Sequence, residues 1–85
     1  QLSELMAWSE AEFLQRTEGS PIRRIGHERW LRNIAVALGN ALASEPQPPR
    51  EWREALHARA DHPSALVREH VQWALARGPG ATIAP

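Results

Sequence analysis

Cysteine, lysine and tyrosine are all missing from this chain. Without cysteine these residues can form no disulfide, offer no thiolate nucleophile and ligate no metal or cluster through sulfur. There is no apolar run of about 18 residues and no signal-peptide pattern, so no membrane-spanning or targeting segment is expected, which fits a cytoplasmic chain. Net charge is absent too: ten basic and ten acidic residues give a formal charge of zero. That argues against a surface coated for nucleic acid and leaves room only for a local patch. No nucleophile motif surrounds Ser9, Ser20, Ser44 or Ser64, so catalysis by these residues alone is not expected.

What remains is an arginine- and alanine-rich chain of 85 residues, one small domain at most. A chain this short buries only ~60% of its unfolded surface, so modest stability is expected. It opens on Gln1 rather than Met, which is expected of a piece cut from a longer protein. All ten basic residues are arginine. GC-rich codon usage accounts for this most simply; a preference for bidentate phosphate contacts is the functional alternative.

The helix signals come in order. Ser9 followed by Glu12 makes a capping box, with Trp8 and Phe13 as its hydrophobic staple and Phe13 and Leu14 facing the core. Gly19 stops that helix near Thr17 or Glu18. Ser20-Pro21 is a second start, and Gly26 interrupts it after a short turn, Pro21 to Ile25. A long helix then runs from about His27 to Leu42, with Trp30, Leu31, Ile34, Ala37, Leu38, Ala41 and Leu42 on its apolar face. Ala35 and Gly39, both small and four apart, allow a neighbour to approach closely. Residues 44–49 form a loop, and Pro48 or Pro49 starts a helix to about Ala60 with Trp52, Ala55 and Leu56 on its core side. Asp61-His62-Pro63 breaks it. Ser64 caps a last helix to Arg77, with a stripe of Leu66, Val67, Val71, Ala74 and Leu75. Residues 1–8 are expected to be a remnant of a linker or helix, 9–77 the domain proper, and 78–85 a disordered tail.

An internal repeat runs at an offset of 37: Trp30, Ile34, Ala37 and Leu38 align with Val67, Val71, Ala74 and Leu75. The segment Asp61 to Leu75 resembles the second helix of a HEAT-type repeat, whose hairpins stack into a continuous core. The expected fold is therefore all-α and HEAT-like, with about four main helices in two antiparallel hairpins.

Arg23, Arg24, Arg29 and Arg32 fall within ten residues on the exposed lead-in and first half of the long helix. Such charges suit phosphate oxygens; a solvated face paired with Glu18 or Glu28 is the plain alternative. Trp30 among them could stack on a base, though its spacing with Ile34 and Leu38 assigns it to the core. His57 and Asp61 lie four apart on one helix face, but His62 precedes a proline in a turn and nothing supplies an obvious third and fourth ligand, so no metal site is expected. Arg68 is expected to pair with Asp61 or cap carbonyls of the adjacent turn.

Three runs carry a further resemblance: WSEAEFLQRTEGSPIRR (Trp8 to Arg24), RWLRNIAVALGN (Arg29 to Asn40) and HPSALVREHVQWAL (His62 to Leu75). Together they resemble the C-terminal part of epoxyqueuosine reductase. The resemblance implies a cytoplasmic parent enzyme that reduces epoxyqueuosine to queuosine at the tRNA wobble position. It implies cobalamin and two [4Fe-4S] clusters, held by an upstream catalytic domain and not here. It also implies that this part helps hold the tRNA anticodon arm. On that reading Arg23, Arg24, Arg29 and Arg32 contact RNA, with Asn33 as a secondary polar contact. The alternative is a module that packs against its own parent chain or another protein.

Overall fold

A computed structural model of the chain describes residues 1–78. The expected disordered tail lies outside the described residues except for Gly78. The elements are α1 (Leu2–Ala7), α2 (Glu10–Arg16), a 3-10 helix (Pro21–Ile25), α3 (Gly26–Ser44), α4 (Arg50–His57) and α5 (Ala65–Leu75). No strand occurs among the described residues. The fold is all-α.

Local chemistry sets the boundaries. The Ser9 hydroxyl accepts from the Glu12 amide at 3.1 Å, and the Glu12 carboxylate accepts from the Ser9 amide at 3.2 Å. This reciprocal cap satisfies two amides that a helix start otherwise leaves open. At the far end of α2 the Thr17 hydroxyl donates to the Phe13 carbonyl at 2.6 Å. Gly19 then takes a positive φ of 78°. The Ser20 hydroxyl accepts from the Ile22 amide at 3.2 Å and opens the 3-10 helix. Gly26, at φ 83°, re-aims the chain into α3. A side chain there would be strained, since only glycine enters that region freely.

The helices stack in two layers. α3 and α5 make the most extensive pairing, while α1 lies on α3 and α4 on α5. Their directions follow from contacts at the ends. Glu28 at the start of α3 accepts from Ser64 at the start of α5, and Gly78, just beyond α5, lies against Leu42 of α3. These two helices are therefore parallel. Arg53, early in α4, donates to the Arg77 carbonyl beyond α5 at 3.3 Å, so α4 runs antiparallel to α5. Trp30, early in α3, reaches the Leu5 carbonyl late in α1 at 3.3 Å, so α1 runs antiparallel to α3. The result is two stacked hairpins, α1–α3 and α4–α5.

One assignment changes. The sequence pattern opened the domain at the capped helix that starts after Ser9 and set residues 1–8 aside as a remnant. In the structure α1 packs on α3 and α4, with Met6 fully buried in the common core. α2 is a two-turn insert whose single buried side chain is Phe13, and Leu14 is 39% exposed rather than in the core. Two turns present one narrow face, and Phe13 fills it. The rest of the core is drawn from Leu31, Ile34, Ala35, Leu38 and Leu42 of α3, Leu56 of α4, and Val67, Val71 and Ala74 of α5; of the expected faces, Trp30, Ala37, Ala41, Trp52, Ala55, Leu66 and Leu75 are only partly buried. A large buried aliphatic of this kind contributes about 1.5–3 kcal/mol by leaving water. α5 comes close to α3 at Gly39, where an added Cβ would overlap the Trp73 ring and stand 3.1 Å from the Ala74 Cα.

Candidate nucleic-acid interface

The four arginines of the sequence reading fall on two elements. Arg23 and Arg24 belong to the 3-10 helix and are exposed. With Gly19, Ser20 and Pro21 they line an open cleft of about 510 Å³. The turn that carries them also exposes Ile22 (46%) and Ile25 (38%), three apart and therefore eclipsed on one side of a 3-10 helix.

Arg29 and Arg32 sit on α3, the first exposed and the second half-buried. With Val36 they are spaced i, i+3, i+7, which makes one stripe along the helix. Arg32 donates from Nε and Nη2 to the Asn33 Oδ1 at 3.2 and 3.1 Å. Asn33 thus orients Arg32 through a neutral acceptor and leaves its charge uncompensated.

No carboxylate lies within 4.0 Å of any of these four guanidiniums among the described residues. The ion pair that does form, Arg50 with Glu54 at 3.7 Å, joins two exposed side chains on α4. Glu28, the acid nearest in sequence, is held by the Ser64 hydroxyl. The plain alternative, in which Glu18 or Glu28 neutralises this surface, does not describe the observed pairing. Trp30 does not stand among them as a free ring. It stacks on Trp8 with centroids 5.3 Å apart and packs on Phe13 at 5.5 Å. The staple expected between Trp8 and Phe13 is thus built through a third ring.

The remaining polar residues serve the frame. The carbonyls that end α1 receive donors from distant elements. Arg59 Nε reaches the Met6 carbonyl at 3.1 Å and Nη2 the Trp8 carbonyl at 2.8 Å, where His27 Nε2 also lies at 2.7 Å. Burial holds the Arg59 guanidinium below its ordinary pKa. His62 accepts from the Ser64 amide at Nδ1, 3.0 Å away. Burial lowers its pKa first, and the charges of Arg59, His27 and Arg68 lower it further against Glu28. Arg68 caps the His62 and Pro63 carbonyls at 2.8 and 2.9 Å, the second of its two expected roles. Among the described residues no group of three or more His, Cys, Asp or Glu is placed to hold a metal ion, and none of their helices is long and apolar enough to cross a membrane.

Comparison with known proteins decides between families. A protein named epoxyqueuosine reductase from Alicycliphilus denitrificans is 65% identical over 80 residues, which is 92% of this chain and 22% of the relative. One of the same name from Xanthomonas campestris is 66% identical over 76 residues, 89% of this chain and 20% of the relative. The Escherichia coli protein of that name is 55% identical over 82 residues, 91% of this chain and 19% of the relative.

This chain is homologous to one segment of the epoxyqueuosine reductases.

It spans about a fifth of the length of these relatives. No family model matches it, and no solved structure does. Nothing in the reductase-like runs pointed to the Arg59–His27 knot, because its members lie 51 and 19 residues from the carbonyl they share. The available signal was negative: α1 ends at Trp8 with no glycine or basic residue in its last turn. A helix end of that kind needs donors from elsewhere.

Proposed function

We propose that this chain is the C-terminal RNA-holding module of an epoxyqueuosine reductase. Four arginines within ten residues, none of them paired with an acid among the described residues, carry this reading. Guanidiniums in that state bind phosphate oxygens without first breaking an internal ion pair. The module grips the anticodon arm of a tRNA through Arg23, Arg24, Arg29 and Arg32, with Asn33 steadying Arg32. The modified nucleoside at the wobble position is thereby presented to a reducing site elsewhere in the parent enzyme, in the cytoplasm. The chain has no cysteine, so any [4Fe-4S] clusters of that parent take their thiolate ligands from outside these residues, and we assign the cobalamin to the upstream catalytic domain. The upstream catalytic domain is the second partner.

The test is the full-length enzyme carrying Arg29→Ala and Arg32→Ala together. Its tRNA affinity should fall about tenfold or more at low salt, and the slope of log affinity against log salt should flatten by about 1 to 2. Its cofactor spectrum should stay the same. Unaltered tRNA affinity removes the assignment.

A second reading is favoured by Ile22 and Ile25, exposed beside Arg23 and Arg24. In it this end of the module packs against the rest of the parent chain. An apolar docking surface is insensitive to salt in the range where phosphate contacts weaken, which separates the two.

A further inference from the structure

The groove between α3 and α5 is lined by Val36, Glu69, His70 and Trp73 and has a volume of about 410 Å³. Trp73 is 40% exposed there, the largest side chain left in that state among the described residues. It is also held in place. Gly39 gives its ring a seat against α3, and the Arg77 guanidinium sits over the ring, 4.7 Å from its centroid. Val36 follows Arg32 by one turn and Arg29 by two, on one stripe of α3. The arginine stripe therefore runs directly into the groove. A fixed indole at the end of an unpaired cationic stripe is the arrangement that binds a single strand: phosphates on the charges, a base on the ring.

We infer that this groove holds an unpaired base of an RNA strand whose phosphates lie along Arg29 and Arg32. The inference rests on the RNA reading above and goes beyond it by naming a base subsite on the opposite helix, α5. Charge complementarity selects the occupant. The stripe leading in is cationic, while the groove itself offers the exposed part of the Trp73 ring that Arg77 and Gly39 leave uncovered, an aliphatic wall at Val36 and the polar groups of His70 and Glu69. His70 commits Nδ1 to the Leu66 carbonyl at 2.8 Å, which leaves Nε2 for a base edge. Glu69 keeps phosphates out of the groove and accepts from base amino groups.

The experiment uses the full-length enzyme with a single-stranded RNA oligonucleotide and the same sequence paired as a duplex. Trp73→Leu should weaken single-strand binding about tenfold, leave duplex binding unchanged and keep the wild-type salt slope. Trp73→Phe should keep most of the affinity and lose the part of RNA-induced tryptophan quenching that comes from residue 73, a readout that stands even if the leucine variant folds poorly. Wild-type single-strand affinity in Trp73→Leu, or full quenching in Trp73→Phe, overturns the subsite. If Arg29→Ala/Arg32→Ala still weakens binding, the RNA reading survives that result. Equal weakening of single strand and duplex, or a changed cofactor spectrum with RNA affinity intact, also overturns it and assigns the groove to the frame or to a protein neighbour.

Discussion

Burial lowers the His62 pKa, its neighbours Arg59, His27 and Arg68 lower it further, and Glu28 opposes them. The His62 Nδ1 must be bare to accept from Ser64. The folded pKa lies below the ordinary value, so the unfolded chain takes up the proton first. The stability this residue contributes is whole above about pH 6.5, the usual histidine value, and is lost as pH falls through the lower folded value. Thermal melts of the wild type should therefore drop below about pH 6.5, and His62→Asn, which keeps an acceptor without the charge, should flatten that drop. A second residue-scale prediction concerns Trp30. It is half-buried, stacked on Trp8 and bonded to the Leu5 carbonyl. Trp30→Ala should cost about 3 kcal/mol, the low end for large aromatic truncation, measured by denaturant unfolding. An unchanged midpoint would place the ring outside the frame. The hydrophobic period alone made Trp30 a core residue; its partners at Trp8 and Phe13 come from a tertiary meeting that no local spacing encodes.

At the scale of elements, the caps were legible and the pairings less so. Ser9, Ser20 and Ser64 each act where their position before a helical run predicts, because a hydroxyl at that point meets an open amide. Ser64 does more, since it also ties α5 to α3 through Glu28. Ser64→Ala should cost about 1 to 2 kcal/mol, above Glu28→Gln, in paired unfolding measurements. Gly39 and Ala35 were readable as a close-approach pair, and the structure sets Gly39 against Trp73 and Ala74. Gly39→Ala gains about 1 kcal/mol of helix propensity but drives a methyl into the Trp73 ring, with the Ala74 backbone close beside it. It should destabilise, by about 1 to 2 kcal/mol net. Any gain in melting temperature would contradict the packing described. The role of α1 was not legible. Six residues with three apolar side chains carry too weak a period to distinguish a core helix from a trailing end, and what decides is Met6 fitting a gap between α3 and α4.

Across the whole molecule, the offset of 37 residues corresponds to two parallel helices, α3 and α5, which explains why the two-layer stack could be read at all. The repeat records which helices share a layer, and the proline and glycine breaks record where the chain turns. The positions of the four arginines off the buried face were legible, since Arg29 and Arg32 fall outside the apolar period of α3 and Arg23 and Arg24 lie in the exposed turn before it. Their pairing state was not, because whether Glu18 or Glu28 reaches a guanidinium depends on where α5 places Ser64. The groove at Trp73 was missed for the same reason, as it exists only where α3 and α5 bring together Val36 and Trp73, 37 residues apart in sequence. The measurement that tests the account most directly is tRNA affinity of the full-length enzyme across a salt series, wild type against Arg29→Ala/Arg32→Ala. The account predicts steep weakening with salt in the wild type and a slope flatter by about 1 to 2 in the variant. Equal slopes and equal affinities in the two proteins would contradict it.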